Sequence, residues 1–381
     1  MKAEFVVVGA GIVGCATAYY LANRSVKVTV IEKDKVGGHA SGHALGGLNP
    51  LTGTGLPDPL GPLSIESYHL LRTLIPQLEK DTGFDLEFGW TKAIHLAFSK
   101  EEETLLKQRL SWQQKQPDFG AMWLSAQEIE KLDPRISPKA LGGILTENIG
   151  LVNPYLLCQA LQSAAIKKGA SFLKGNVQGL TFNGGQIKSV DLEKEKLPCD
   201  GVVIATGPWA GEIKTWTGFN IPIRPLKGQI LQFRLPGKPF NWISYADTYA
   251  VTKPDGLVWI GTTEEEGFND KPSEEAHRKI ILNINKLFPS VFVNIEDRLV
   301  RQTACLRPVT PDGYPILGLL EGFDGLVLAT GGGRKGILMG PMIGQIASDL
   351  VISGNTPFNI TAMEPNREIG KDSKNLDLLR F

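Results

Sequence analysis

The sequence has few of the residues that build metal centres and disulfide frameworks. Its 381 residues include only four cysteines and five histidines. The histidines form no zinc signature, and no CxxC spacing occurs among the cysteines, which are Cys15, Cys158, Cys199 and Cys305. We therefore expect neither a bound metal ion nor a disulfide framework.

The sequence also lacks an excess of charge of either sign. Forty basic and forty acidic residues give a formal net charge of zero, and no long basic run is present, which argues against nucleic acid as the main partner.

Glu4 and the early glycines are atypical of a signal peptide. No apolar segment is expected to approach the roughly 18 residues of a membrane span. We therefore expect no transmembrane segment and a cytoplasmic location, and self-association is left open.

Glycine, by contrast, is abundant, with 43 residues. An apolar run from Phe5 to Val8 ends in the pattern Gly9-Ala-Gly11-Ile-Val-Gly14, which opens a segment of helical period. In a GxGxxG turn the first glycine makes the turn, the second lets the backbone approach a pyrophosphate, and the third lets helix and strand pack closely. The next strand, "VKVTVIE", ends at Glu32, where a carboxylate can accept from ribose hydroxyls. This arrangement predicts a dinucleotide site.

Further glycine-rich segments indicate which dinucleotide is bound. The loop "GGHASGHALGGLNP" (37–50) follows the acidic strand, and "LATGGGRKGI" (328–337) is a second strand–glycine–helix junction. A long cofactor needs more than one such contact, so FAD is favoured over NAD. The alternative is that both segments are merely flexible loops.

Two similar strands and two helices extend the first domain. Residues 200–207, "DGVVIATG", and 324–331, "DGLVLATG", are apolar without alternation, which is typical of strands buried on both faces of a parallel sheet. Helices are predicted over 154–169 and 336–354.

A second domain is interleaved with the first. Residues 221–262 contain β-type runs, residues 101–114 form a charged amphipathic helix, and Ser125 to Glu128 is a capping box. The predicted fold class is α/β, α+β overall: a Rossmann-like FAD-binding domain with a mixed, largely antiparallel sheet domain that binds substrate. The predicted ranges are 1–85, 145–220 and 300–363 for FAD binding, 86–144 and 221–299 for substrate binding, and 364–381 for a polar tail.

Five segments together resemble the D-amino-acid oxidase superfamily of FAD-dependent oxidoreductases. They are "GAGIVGCATAYYLA", "ASGHALGG", "VVIATGPWAG", "CLRPVTPDGYPILG" and "ATGGGRKGILMGP", in the family's order and spacing. The nearest branch looks like glycine oxidase, with sarcosine oxidase beside it. The resemblance implies an FAD cofactor, which most flavoproteins of the branch hold noncovalently.

The resemblance also implies which residues contact FAD. Five residues of the first junction hold the ADP part, the loop after it follows the ribityl chain and ring, and later segments complete the site. In sequence these residues are Gly9, Gly11, Gly14, Glu32, Lys33, Ser41, Gly46, Gly47, Leu48, Val177, Gly207, Trp209, Gly332, Gly333, Arg334, Lys335, Gly336 and Ile337. Cys305 matches the cysteine that tethers the flavin in sarcosine oxidases, although a tether here is not expected.

For the substrate, the resemblance assigns the carboxylate to Arg307, assisted by Tyr249 and with Arg334 nearby. A planar guanidinium matches a carboxylate with two parallel hydrogen bonds. The alternative is that Arg307 forms a structural ion pair with a protein carboxylate such as Asp312.

The implied reaction is oxidation of the C–N bond of a small amino acid or secondary amine, such as glycine, a D-amino acid or an N-methyl amino acid. Hydride passes to flavin N5, and water hydrolyses the resulting imine to an oxo acid. No protein side chain is required as a catalyst. The electron acceptor is oxygen or another oxidant. Val258 and Trp259 stand where sarcosine oxidases carry a lysine thought to aid reaction with oxygen.

Two other functions are compatible with the sequence. The oxidase half of a tRNA-modifying enzyme shares the superfamily and acts on a carboxymethylaminomethyl group of a nucleoside. Zero net charge and the lack of a fused methyltransferase domain count against it. A flavin-binding scaffold without activity is the third hypothesis.

Overall fold

The computed structural model describes residues 4–52, 56–57 and 59–369. Its strands are β1 Glu4–Val8, β2 Lys27–Glu32, β3 Gly47–Leu48, β4 Gly89–Ala97, β5 Ala121–Ser125, β6 Gly142–Leu151, β7 Ser171–Lys174, β8 Val177–Asn183, β9 Gln186–Leu192, β10 Lys196–Pro198, β11 Gly201–Ile204, β12 Arg224–Phe233, β13 Trp242–Tyr245, β14 Tyr249–Thr252, β15 Val258–Gly261, β16 Glu265–Glu266, β17 Leu299–Val309, β18 Ile316–Leu319 and β19 Leu326–Thr330. Its α-helices are α1 Ile12–Asn23, α2 Ala40–His43, α3 Leu60–Thr82, α4 Lys100–Gln113, α5 Ala126–Leu132, α6 Pro154–Lys167, α7 Ile213–Thr217, α8 Glu274–Leu287 and α9 Gly336–Ser353.

The chain divides into two compact units. The first contains the described residues of Met1–Leu86, Val152–Leu226 and Leu306–Arg380, and the second contains Glu87–Leu151 and Lys227–Cys305. The cofactor and substrate roles of the ranges given above stay predictions.

A six-stranded sheet forms the centre of the first unit, in the order β18-β19-β11-β1-β2-β7. Pairing is parallel from β19 to β7, and β18 is antiparallel to β19. The predicted strands within 200–207 and 324–331 are confirmed as β11 and β19. A smaller antiparallel sheet, in the order β10-β9-β8, belongs to the same unit.

The helices of the first unit begin where the sequence predicts. At α6, the Asn153 side chain accepts from the backbone N–H groups of Tyr155 and Leu156 at 3.1 and 3.2 Å, and Pro154 occupies the first turn. Helix α9 confirms the prediction over 336–354.

Helix α9 corrects one prediction about apolar length. Among the described residues, Gly333–Ser353 is one helical stretch that by length and composition is able to cross a membrane, with 72% of its apolar window buried in the fold. The expectation that no apolar segment approaches such a length was therefore wrong. The burial is typical of a core helix that is apolar on all sides.

The second unit is built on one large sheet with the order β16-β12-β15-β14-β13-β4-β6, to which β17 adds at β12 and β5 at β6. The β13–β4 pair is parallel, and the pairs from β12 to β13 and from β4 to β5 are antiparallel. Helix α8 contributes Ile280 and Ile284 to a buried apolar cluster that includes Leu231 and Ile260 of this sheet. The mixed, largely antiparallel character predicted for the second domain is confirmed.

Candidate cofactor and substrate site

The first glycine turn is shaped by close backbone contacts. Gly9 has φ +99°, and a Cβ atom there would lie 2.6 Å from the carbonyl oxygen of Ala205. A Cβ atom on Gly14 would overlap the carbonyl oxygen of Gly9. At Gly11 the nearest atom to a Cβ would be Ser41 Oγ, at 3.2 Å. Gly9 and Gly14 are therefore required by packing within the protein, whereas Gly11 keeps the space before α1 open.

The loop after β2 returns to this same helix start. Ser41 Oγ accepts a hydrogen bond from the backbone N–H of Ile12 at 3.0 Å, and the N–H of Gly37 donates to the carbonyl of Ala10 at 2.9 Å. Farther along the loop, Gly46 has φ +83°, and a side chain there would overlap the carbonyl oxygen of Val152. The structure thus brings Ser41 to Gly11.

Glu32 lies at the end of β2, directly beside the glycine turn. Its Oε2 accepts from the N–H of Ala10 at 2.7 Å, and its Oε1 accepts from the N–H of Asp34 at 2.9 Å. Each carboxylate oxygen has a second lone pair, so the group retains the capacity to accept from a ribose hydroxyl. His39 Nε2 lies 2.8 Å from Asp34 Oδ2, and Glu32, Asp34 and His39 each place one potential ligand atom within 4.8 Å of the others.

Other predicted cofactor residues gather near the end of β2. Lys33 Nζ lies 4.1 Å from the ring centroid of Trp209. The N–H of Gly175, two residues before Val177, donates to the Glu32 carbonyl at 2.9 Å. Gly207, with φ +57°, accepts from Thr330 Oγ1 at 2.9 Å.

The second strand–glycine–helix junction joins β19 to α9. Lys335 Nζ donates to the carbonyl oxygen of Asn49, which follows the Gly46–Leu48 segment of the first loop. A Cβ atom on Gly333 would lie 3.9 Å from Val309 Cγ1 and 4.0 Å from the Pro308 carbonyl oxygen. Ile337 is buried and Arg334 is exposed. This junction therefore adjoins both the Gly46–Asn49 loop and the residues directly after Arg307.

Arg307 is half-buried in β17. Asp312, the alternative partner considered for it, is held by another arginine: Arg367 Nε and Nη2 donate to its two carboxylate oxygens at 2.9 and 3.2 Å. Arg367 Nη2 also donates to the Tyr314 carbonyl at 3.1 Å. Arg367 was not among the predicted site residues, because it falls in the predicted polar tail. Residues 370–381 of that tail lie outside the described part of the chain.

In the second unit, Tyr249 begins β14 and is 8% exposed. It lies opposite Tyr245 in the sheet, and the ring centroids are 6.2 Å apart. Tyr245 in turn lies opposite His95. Burial, with a smaller effect of Arg109, lowers the pKa of His95 to about 3, so this imidazole is neutral near pH 7.

Lys253 was also missed by the sequence reasoning. Its Nζ lies 5.5 Å from the ring centroid of Trp259. Trp259 is one of the two residues that stand where sarcosine oxidases carry a lysine. Burial lowers the pKa of Lys253 to about 8, partly opposed by Glu87 and Asp255. Cys305 is buried and forms no disulfide within the described residues, and its predicted lack of a flavin tether stays a prediction.

The residues of the first unit fit an FAD group. The start of α1 is kept clear by Gly11, with Glu32 and Trp209 nearby. In the Gly46–Asn49 loop, the buried Asn49 Nδ2 has no hydrogen-bond partner within residues 4–52, 56–57 and 59–369, as expected of a donor that awaits a ligand.

Comparison with known proteins agrees with this geometry. Residues 4–350 match the family model described as DAO, FAD dependent oxidoreductase. The chain is 29% identical over 375 residues to a glycine oxidase of Geobacillus kaustophilus, covering 97% of this chain and 98% of that protein. A glycine oxidase of Pseudomonas aeruginosa is 27% identical over 94% of this chain and 97% of its own length.

The fold is shared as well. The crystal structure of glycine oxidase from Geobacillus kaustophilus aligns with a TM-score of 0.90 at 28% identity, covering 97% of this chain and all of that one. With a family match over nearly the whole length and a glycine cradle that fits the cofactor, this chain belongs to the DAO family of FAD-dependent oxidoreductases.

Proposed function

We propose that this enzyme oxidises the C–N bond of a small amino acid or secondary amine, such as glycine, a D-amino acid or an N-methyl amino acid. The observation that carries the proposal is the position of Arg307. It is half-buried, and the two residues that follow it approach Gly333 of the second junction. The near full-length relatives named glycine oxidase support the same substrate class.

Arg307 supplies the group that a carboxylate needs. A guanidinium presents two parallel N–H donors in a plane, and the match with a carboxylate fixes both distance and orientation. Asp312 forms its ion pair with Arg367, so the alternative of a structural ion pair between Arg307 and Asp312 is supported less well. The assisting roles of Tyr249 and Arg334 remain proposals that rest on the family resemblance.

Bound FAD supplies the oxidant, which takes up hydride from the substrate Cα. The chain itself binds and orients: Arg307 holds the substrate carboxylate so that the Cα–H bond has one preferred direction. The ammonium proton leaves before oxidation, because only the neutral amine has the lone pair that forms the imine. Water then hydrolyses the imine to an oxo acid and releases ammonia or the primary amine.

The test is anaerobic mixing of the holoenzyme with a panel of D-, L- and N-methyl amino acids and glycine, with loss of flavin absorbance as the readout. Each amino acid is paired with the amine that lacks its carboxylate, so that methylamine is the control for glycine. We expect bleaching by at least one amino acid and much slower bleaching by its paired amine. Bleaching by the amines at equal rates, or by no member of the panel, would refute the proposal.

A further inference from the structure

The side chain of Asn49 is buried, and half of its hydrogen-bonding capacity is used. The residue is 4% exposed. Its Oδ1 accepts from the backbone N–H of Leu51 at 2.9 Å. Its Nδ2 finds no partner in the part of the chain that the structure describes.

The hydrogen bond from Leu51 determines the orientation of the Asn49 side-chain amide. The N–H of Leu51 needs an acceptor, so the oxygen of Asn49 faces it and the NH₂ group points the other way. A buried donor without a partner destabilises the folded protein, because it has lost its hydrogen bonds to water. Native structures seldom retain such a group unless a ligand, an ion or an ordered water supplies the acceptor.

Asn49 also lies where a flavin acceptor is expected. It directly follows Gly46, Gly47 and Leu48, the segment assigned to the ribityl chain and ring. Its carbonyl oxygen accepts from Lys335 Nζ of the second junction. The lysine thereby anchors the Asn49 backbone to the turn before α9, and the side-chain amide is held by Leu51.

We propose that Asn49 Nδ2 donates a hydrogen bond to a carbonyl oxygen of the isoalloxazine ring of bound FAD. Lys335 is the positioning residue that holds the Asn49 backbone in place. The inference rests on the proposed flavin-facing segments and is independent of the substrate.

The test removes the NH₂ group and keeps an acceptor for Leu51. Both Asn49→Ser and Asn49→Asp do so, since Ser and Asp accept from the N–H two residues later. For each variant the measurements are the Kd for FAD and the midpoint potential of the bound flavin. We expect Asn49→Ser to raise the Kd about 3- to 10-fold, the effect of one hydrogen bond.

The midpoint potential gives a signature that a structural role would not produce. A donor to the ring stabilises the electron-rich reduced flavin more than the oxidised form, so its loss lowers the potential. Asn49→Asp should lower the potential further, because a carboxylate repels the same acceptor.

The matched control is Asn359→Ser. Asn359 makes the same turn, with Oδ1 accepting from the N–H of Thr361 at 3.1 Å, and it is exposed. This variant should leave Kd and potential unchanged. Wild-type Kd and potential in Asn49→Ser and Asn49→Asp would overturn the inference, even if melting temperature or substrate KM changed. No readout uses a substrate, so a failed amino-acid panel would count only against the proposed function.

Discussion

The two strand–glycine–helix junctions of the first unit differ in the side chains that they carry. In the β1–α1 junction, Gly9 and Gly14 are required by backbone contacts within the protein, and no charged side chain lies between β1 and α1. In the β19–α9 junction, a Cβ atom on Gly332 would also lie close to backbone, 2.9 Å from Gly336 Cα, but this junction carries Arg334 and Lys335 as well. Both junctions therefore need glycine for packing, and the second adds two cationic side chains.

The largest effect is expected where the first junction is filled. Gly11→Val places a branched side chain in the space before α1, which is the site proposed for the cofactor pyrophosphate. We expect FAD affinity to fall at least 100-fold, about 3 kcal/mol, and the protein to purify nearly colourless.

Gly89→Ala, at the start of β4, is the control, because nothing lies within 4 Å of its Cβ position. It should retain FAD and melt near the wild-type temperature. Full flavin content in Gly11→Val, measured as absorbance per protein, would show that the phosphate site lies elsewhere.

A second effect concerns the 310–314 turn, which packs against the β19–α9 junction. Arg367 holds Asp312 in the 310–314 turn, and Thr310 Cγ2 would lie 3.2 Å from a Cβ atom on Gly331. Arg367→Ala leaves the carboxylate, 18% exposed, without this partner. We expect a loss of about 2–4 kcal/mol in the free energy of unfolding, measured by denaturant titration of the holoenzyme.

The matched control is Arg24→Ala, which removes the pair of Arg24 with Asp349 between α1 and α9. Because the Arg24 side chain is 40% exposed, solvent screening reduces the expected loss to about 1 kcal/mol or less. Equal losses in both variants would contradict the special role given to Arg367.

The smallest effect concerns the lysine of the second junction. Lys335→Met removes the hydrogen bond to the Asn49 carbonyl and should weaken FAD binding roughly 3-fold. The matched control is Lys167→Met, which removes a hydrogen bond from Lys167 Nζ to the backbone carbonyl of Asp81 and should leave FAD affinity unchanged. The same Kd in both variants would show that the tie between the junction and the Gly46–Asn49 loop has no part in cofactor binding.

Much of the first unit was predictable from its sequence. Apolar runs such as 5–8 and 201–204 have no alternation, which specifies strands buried on both faces. The GxGxxG spacing is strict because a side chain on Gly9 or Gly14 would collide with backbone atoms. The spacing of the glycines therefore predicts the close backbone contacts of this turn. Asn153 marks the start of α6, as Ser125 marks the start of α5 in the second unit, because each side chain accepts from backbone N–H groups of the first turn.

Contacts between side chains distant in sequence were not predictable. Arg367 reaches Asp312, and Lys335 reaches Asn49, through folding of the chain rather than through any local pattern. The helix α9 was predicted, but the length of its apolar segment was underestimated. Gly and Pro interrupt the apolar run, and the helix nevertheless continues through Pro341. Lys253 reaches Trp259 from the segment directly after β14, so inspection of the Trp259 strand alone did not find it.

The central claim, that Arg307 binds the substrate carboxylate, is tested most directly by steady-state kinetics of Arg307→Ala and Arg307→Lys with the best amino acid of the panel. The account predicts a loss of roughly 10²- to 10⁴-fold in kcat/KM for alanine, about 3–5 kcal/mol, with only part of it recovered by lysine, which lacks the planar fork. FAD affinity should stay at the wild-type value, and the paired amine without a carboxylate should be oxidised equally by variant and wild type. A wild-type KM for the amino acid in Arg307→Ala would contradict the account.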